Sequence, residues 1–108
     1  MHDIFHRLMA VIADRKQNPV PRSYTNSLFS GGVEKIGGKV LEEAEEVVDA
    51  ARESGEGGRE HLDNEAADLI YHLLVMLAHR DATLADIEKV LDQRFGISGL
   101  DEKESRGS

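Results

Sequence analysis

Five acidic side chains in two short blocks are the residues of this sequence best suited to chemistry. Glu42, Glu43 and Glu46 lie in the block Lys-Val-Leu-Glu-Glu-Ala-Glu-Glu, and Glu65 and Asp68 form a Glu-x-x-Asp pair further along. Spacings of three and four residues place side chains on one face of a helix. Carboxylate oxygens converging from two such faces suit Mg²⁺ or Mn²⁺. The pattern predicts a metal site, and a solvated charged face is the alternative.

The predicted angle and height of these acids along their helices favour the metal site. On the helix predicted over 33–53, five charged side chains share an arc of about 100° beside the apolar stripe: Lys35, Lys39, Glu42, Glu43 and Glu46. A turn centred on Glu56 would make a helix hairpin in which Glu46 faces Glu65 and Glu43 faces Asp68. Such a cluster next to apolar surface is costly without a counter-ion.

His72 follows Asp68 by one helical turn. From that position it could hydrogen-bond a metal-binding carboxylate or contact substrate. A partly buried histidine with only a structural role is the alternative. The sequence alone leaves both interpretations open.

Helices are the elements that must position these groups. Pro19 and Pro21 interrupt the chain early, and strand signals are nearly absent. We predict helices over about 4–16, from Ser23 through Phe29, over 33–53 and 59–80, and from Thr83 to Phe95. The predicted fold is all-α, a four- to five-helix bundle forming a single domain over 1–95. Residues 96–108 read as a polar, flexible tail.

The third long helix is apolar on more than one side. Its apolar residues include Leu69, Ile70, Tyr71, Leu73, Leu74, Val75, Met76, Leu77 and Ala78. A helix that is apolar all round must be covered all round. A homodimer would supply the missing cover, and a well-wrapped monomeric bundle is the alternative.

Length, charge and composition exclude several classes of protein. The chain has 108 residues, which suits one domain, and it has no cysteine for disulfides or thiolate chemistry. Its formal net charge of −8 opposes binding to nucleic acid. No apolar run approaches the roughly 20 residues of a membrane helix, and no signal peptide is evident. A cytoplasmic protein without nucleic-acid or membrane partners is expected.

The acidic pattern Glu42-Glu43-x-x-Glu46 followed by Glu65-x-x-Asp68 resembles the signature of the all-α nucleoside triphosphate pyrophosphatase (MazG-like) superfamily. Within it, the chain is most similar to the phosphoribosyl-ATP pyrophosphohydrolase family of histidine biosynthesis. That similarity rests on Ser23-Tyr24-Thr25, on Lys35 and Lys39 before the glutamates, and on the block Glu-Ala-Ala-Asp-Leu-Ile-Tyr-His that begins at Glu65. One departure is Leu41, where many relatives carry glycine.

The resemblance implies an activity and residue roles. The substrate would be 1-(5-phosphoribosyl)-ATP, cut between its α and β phosphates to give phosphoribosyl-AMP and pyrophosphate. Metal ligands for Mg²⁺ would be Glu43, Glu46, Glu65 and Asp68. Glu42 would be the catalytic group that orients or deprotonates the attacking water, or an additional ligand. Lys35, Lys39 and Arg22 would bind phosphates.

Two other functions remain open at this point. One is a house-cleaning pyrophosphatase that acts on ordinary or modified nucleoside triphosphates with the same carboxylates. The other is a non-catalytic acidic helical module that binds a partner or stores metal. Replacing Glu46 with aspartate keeps the charge but moves the carboxylate. This change should cripple an enzyme and barely affect a non-catalytic acidic module.

Overall fold

The computed structural model describes residues 3–96, which form four helices and no strand. The helices are α1 (Ile4–Gln17), α2 (Tyr24–Ala51), α3 (Gly55–His79) and α4 (Leu84–Arg94). The all-α prediction is confirmed. Of the predicted tail, all but Gly96 lies outside the described residues. No helix in the described range has the length and apolar run needed to cross a membrane.

Polar caps begin the helices where the sequence predicts. The Asp3 side chain accepts a hydrogen bond from the His6 amide at 3.2 Å, and Ser23 accepts one from the Asn26 amide at the same distance. Thr83 and Asp86 form a reciprocal capping box at the start of α4. Each cap satisfies an amide that the first helical turn leaves without a partner.

The second element is one helix with a break at Gly32, where two helices were predicted. Gly32 has φ 68° and ψ −162°, a conformation open to glycine and strained for other residues. The break lies between the predicted segments, so their separation is confirmed at the level of the backbone. Helical geometry resumes at once, and the axis is redirected without an intervening loop.

The turn between α2 and α3 is displaced from the predicted position. Residues 52–54 make the connection, and the glycine-rich stretch predicted as a turn forms the first turn of α3 instead. Gly58 permits this arrangement, because a Cβ atom there would lie only 2.8 Å from the Glu53 backbone. The turn centred on Glu56 was therefore wrong.

The core forms where α1, α2 and α3 meet. Its fully buried side chains are Ile12 from α1, Leu28 and Ile36 from α2, and Val75 from α3. Met9, Leu74 and Ala78 complete the cluster. Burial of each large aliphatic side chain contributes about 1.5–3 kcal/mol. The α4 helix contributes no buried residue to this core.

Two polar side chains fasten α1 to the rest of the bundle. The Lys16 ammonium donates to the backbone oxygens of Ala78 and His79 at 3.1 and 3.0 Å and contacts the Asp81 carboxylate at 2.7 Å. This hydrogen bond and the positive charge lower the pKa of Asp81. Asn26 bridges the α1–α2 connection, donating to the Arg15 carbonyl and accepting from the Val20 amide, both at 2.7 Å. That connection also includes Arg22.

Candidate metal centre

Three of the predicted acids converge at the seam between α2 and α3. Glu43 and Glu46 from α2 and Glu65 from α3 each offer a carboxylate oxygen, and these oxygens lie within 4.8 Å of one another. Glu43 is only 9% exposed, while Glu46 lies at the surface. The predicted pairing of Glu46 with Glu65 is therefore present.

The electrostatics of this cluster show strong local repulsion. A hydrogen bond with the Glu65 carboxyl, together with its negative charge, raises the pKa of Glu46. His61 lies beside them, with Nε2 3.3 Å from Glu65 and Nδ1 3.0 Å from Glu53. The hydrogen bond to Glu53 and the two neighbouring carboxylates raise the pKa of His61. The acids thus attract a proton or a cation to the same place.

His72 connects Glu43 to the interior of the bundle. Its Nδ1 lies 3.0 Å from the Asp68 backbone oxygen and 3.3 Å from Glu43 Oε1. Its Nε2 lies 2.9 Å from the Tyr24 hydroxyl. Because His72 is only 6% exposed, these contacts fix the ring. The interpretation of His72 as a partner of a candidate ligand agrees with this geometry.

The donor set fits a hard divalent cation. All three converging donors are carboxylate oxygens, one of them nearly buried, and their mutual repulsion is relieved by positive charge. Carboxylates that bind a metal are usually held by groups around them, and His72 Nδ1 lies 3.3 Å from Glu43 Oε1. The residues present therefore fit Mg²⁺ or Mn²⁺.

Three of the other predicted site residues are exposed and Lys39 is half-buried. Glu42 is exposed, with its carboxylate 3.5 Å from the Lys39 ammonium, and that contact raises the pKa of Lys39. The Lys35 ammonium lies 3.4 Å from the Ser27 carbonyl, across the break in α2. Arg22 is exposed, with φ 65°, in the α1–α2 connection.

Asp68 is the predicted ligand that the structure does not place with the other three. Among residues 3–96, the set of converging acids contains Glu43, Glu46 and Glu65 only. The Asp68 side chain is exposed, and it is the backbone oxygen that receives His72. Its role as a ligand therefore stays a prediction.

Sequence reasoning did not identify the aromatic residues beside the acids. Tyr24 contacts His72, and its ring stacks on Tyr71 with centroids 6.3 Å apart. The Thr25 hydroxyl pairs with the Tyr71 hydroxyl. These partners lie on different helices, 48 and 46 residues apart in the sequence, so helical periodicity could not reveal the contacts. The signal available was the Ser23-Tyr24-Thr25 block, which the sequence analysis used only as a mark of resemblance.

The acids lie on an open face of the bundle. Two grooves with volumes of about 380 and 370 Å³ lie along α1, away from the carboxylates. One is lined by His6, Met9 and the α3–α4 connection, and the other by Ile4, Phe5 and the solvent side of α3. Neither groove is lined by Glu43, Glu46 or Glu65.

Comparison with known proteins decides the family. The family profile described as phosphoribosyl-ATP pyrophosphohydrolase matches residues 5–95. The chain belongs to this family. Membership in the phosphoribosyl-ATP pyrophosphohydrolase family makes the chain a hydrolase and confirms the family resemblance.

Individual relatives agree with the family assignment. A protein of Rhodopirellula baltica named phosphoribosyl-ATP pyrophosphatase is 47% identical over 100 residues, covering 93% of this chain and 83% of its own. A relative of the same name in Paracoccus denitrificans is 50% identical, covering 94% of this chain and 91% of its own. Another in Dechloromonas aromatica is 42% identical, covering 99% of this chain and 96% of its own. The similarity thus includes the acidic cluster and the aromatic block together.

Proposed function

We propose that this chain hydrolyses 1-(5-phosphoribosyl)-ATP between the α and β phosphates, giving phosphoribosyl-AMP and pyrophosphate in the second step of histidine biosynthesis. The observation that carries the proposal is the convergence of Glu43, Glu46 and Glu65 in a member of this family. The reaction adds one water across a phosphoanhydride bond. Hydroxyl joins one phosphorus, the other phosphate leaves with the bridging oxygen, and a proton is released.

Glu43, Glu46 and Glu65 would hold Mg²⁺ or Mn²⁺, with Asp68 as the further ligand predicted from sequence. When bound, the cation supplies charge neutralisation to the triphosphate and polarises the reacting phosphorus. His72 lies against the Glu43 carboxylate, with Nδ1 3.3 Å from Oε1, while its Nδ1–H donates to the Asp68 backbone oxygen. Because Glu43 is nearly buried, its orientation is the most closely fixed of the three.

Glu42 would orient or deprotonate the attacking water, or serve as an additional ligand. Its carboxylate is exposed on the same stretch of α2 as the ligands, and Lys39 lies 3.5 Å away. Substrate phosphates would draw Lys39 from that exposed pair, which is worth little in water. Lys35 and Arg22 would add positive charge along the path of the triphosphate.

The test is direct measurement of pyrophosphate release by the purified protein with Mg²⁺. Phosphoribosyl-ATP, ATP, dCTP and dUTP are supplied separately at equal concentration. We expect turnover of phosphoribosyl-ATP and little of the other three. Preference for a plain nucleotide would favour a house-cleaning pyrophosphatase, and inactivity with all four would favour a non-catalytic acidic module.

We also propose that two copies of the chain associate through the outer faces of α2 and α3. Exposed apolar side chains lie there: Val33, Leu41 and Val48 on α2, and Leu73 on α3. Leu41 is 73% exposed, which is unfavourable for a leucine that stays in water. Large exposed apolar patches mark interaction sites, and these four side chains are the candidates for one here. A homodimer would cover it and enclose the open face that bears the acids.

Replacing Val48 with glutamate is expected to convert the dimer to a monomer, because a charge would be buried at the contact. Sedimentation at micromolar concentration measures the change. Val11→Glu is the matched control, since Val11 and Val48 are both 50% exposed and Val11 lies on α1. A wild-type chain that sediments as 11.9 kDa, or equal effects of the two variants, would contradict the proposed interface.

A further inference from the structure

The block Ser23-Tyr24-Thr25 at the start of α2 joins that helix to α3 beside the acids. Ser23 caps α2, and the Thr25 hydroxyl pairs with the Tyr71 hydroxyl. Tyr24 reaches His72, with its hydroxyl 2.9 Å from Nε2. Only the Tyr24 contact continues to a metal-binding carboxylate, because His72 Nδ1 lies 3.3 Å from Glu43 Oε1.

The surroundings of His72 determine the direction of this hydrogen-bond chain. The two groups facing Nδ1 are the Asp68 backbone oxygen and the Glu43 carboxylate, and both only accept. Nδ1 therefore carries a hydrogen. In the neutral ring Nε2 is then an acceptor, and the Tyr24 hydroxyl donates to it.

We propose that Tyr24 is a positioning residue for metal binding: it holds His72 in the orientation and tautomer that direct Glu43 toward the cation. The inference rests on the metal site proposed above. Tyr24 acts from the surface, since it is 49% exposed while His72 and Glu43 are both nearly buried. Its hydroxyl is what connects an exposed residue to the most buried ligand.

The chemistry of the phenol suits this role. Desolvation raises the pKa of Tyr24 despite the opposing charge of Lys39, so the hydroxyl keeps its hydrogen at neutral pH and can donate. Without the hydroxyl, the buried Nε2 of His72 would lose its partner, which is costly for a ring this enclosed. The ring would then turn or recruit water, and the contact between Nδ1 and the Glu43 carboxylate would no longer be fixed.

Tyr71 provides a matched control on the same surface. Its ring lies 5.0 Å from that of His72, yet its hydroxyl pairs with Thr25 and not with the histidine. Tyr24→Phe and Tyr71→Phe each delete one hydroxyl and keep the ring. General loosening of the aromatic cluster would follow from either change, whereas loss of the His72 contact follows only from the first.

The experiment titrates Mn²⁺ into substrate-free protein and measures free Mn²⁺ by electron paramagnetic resonance. Loss of a group that supports a metal ligand lowers metal affinity by about 10–100-fold. Because Tyr24 acts on Glu43 only through His72, we expect Tyr24→Phe to weaken Mn²⁺ binding by the lower figure, about tenfold. We expect Tyr71→Phe to stay within about twofold of wild type. Nuclear magnetic resonance of the His72 ring nitrogens should show the Nδ1–H tautomer in wild type and a changed signal in Tyr24→Phe.

Steady-state kinetics separate positioning from direct substrate contact. For Tyr24→Phe, the Mg²⁺ concentration giving half-maximal rate should rise about tenfold, while KM for nucleotide at saturating Mg²⁺ stays unchanged. A raised KM at saturating Mg²⁺ with unchanged Mn²⁺ affinity would overturn the inference in favour of substrate contact. Equal loss of affinity in both tyrosine variants would overturn it in favour of general loosening.

The same titration distinguishes failure of this inference from failure of the proposed function. Wild-type protein that binds Mn²⁺, with Tyr24→Phe binding it equally well, would refute the role of Tyr24 and leave the metal site intact. Wild-type protein that binds no Mn²⁺ would refute the metal site itself, and the role of Tyr24 with it.

Discussion

Replacing Glu46 with aspartate is expected to lower kcat/KM for phosphoribosyl-ATP by about a hundredfold, because misplacing a catalytic group by about 1 Å costs that much. The charge is kept, but the carboxylate is withdrawn by one methylene from the oxygens of Glu43 and Glu65. With glutamate at position 46, one carboxylate oxygen of each of the three residues lies within 4.8 Å of the others. Pyrophosphate release at saturating Mg²⁺ measures the effect.

Glu45→Asp is the control for that variant. Glu45 is the neighbouring residue on the same helix, exposed and outside the converging set, and it undergoes the same chemical change. We expect its activity to match wild type. Equal activities of the Glu46 and Glu45 variants would show that geometry at position 46 is unimportant, which is the behaviour of a charged binding module.

Removing divalent cations with EDTA is expected to reduce pyrophosphate release by about a thousandfold or more, since metal-ion catalysis supplies several kcal/mol of charge stabilisation. The hydrogen bond with Glu65 and its negative charge raise the pKa of Glu46 in the cation-free cluster, and the triphosphate would meet these acids without a compensating cation. Adding Mg²⁺ in excess of the chelator should restore the rate.

EDTA already saturated with Mg²⁺ controls for effects of the chelator itself. Circular dichroism recorded in parallel should show unchanged helix content, because the buried core is separate from the carboxylates. Full activity in free EDTA would exclude the proposed metal mechanism while leaving the family assignment in place.

Local patterns explain why so much of the fold was predictable from sequence. Asp3, Ser23 and Thr83 each cap the helix that the sequence assigns to them, because capping depends only on residues three apart. Helical periodicity likewise predicts that Glu43 and Glu46 share a face of α2. The pairing of Glu46 with Glu65 followed from two long helices joined by a short turn.

Contacts that depend on tertiary packing were less predictable. The displaced α2–α3 turn arises because Gly58 lets the chain fold closely over Glu53, which no turn propensity encodes. Glu46 and Glu65 still meet as predicted, but Asp68 is not in the converging set of the described residues: its side chain is exposed, and its backbone oxygen receives His72. The contact between Tyr24 and His72 joins residues far apart in sequence, and a single sequence contains no period that indicates it.

The break in α2 makes two adjacent glycines irreplaceable in different ways. At Gly32 there is open space for a Cβ atom, but its positive φ disfavours any side chain. At Gly31 the conformation is ordinary, but a Cβ atom would lie 2.5 Å from Lys35 Cβ. The backbone strain at Gly32 cannot be relieved by changing a neighbouring side chain. Shortening Lys35 does not relieve the clash at Gly31 either, because that clash begins at the Lys35 Cβ atom. A side chain at Gly31 would therefore displace Lys35, the residue proposed to bind phosphate, so the absence of a side chain at one position sets the place of a charged group one turn away.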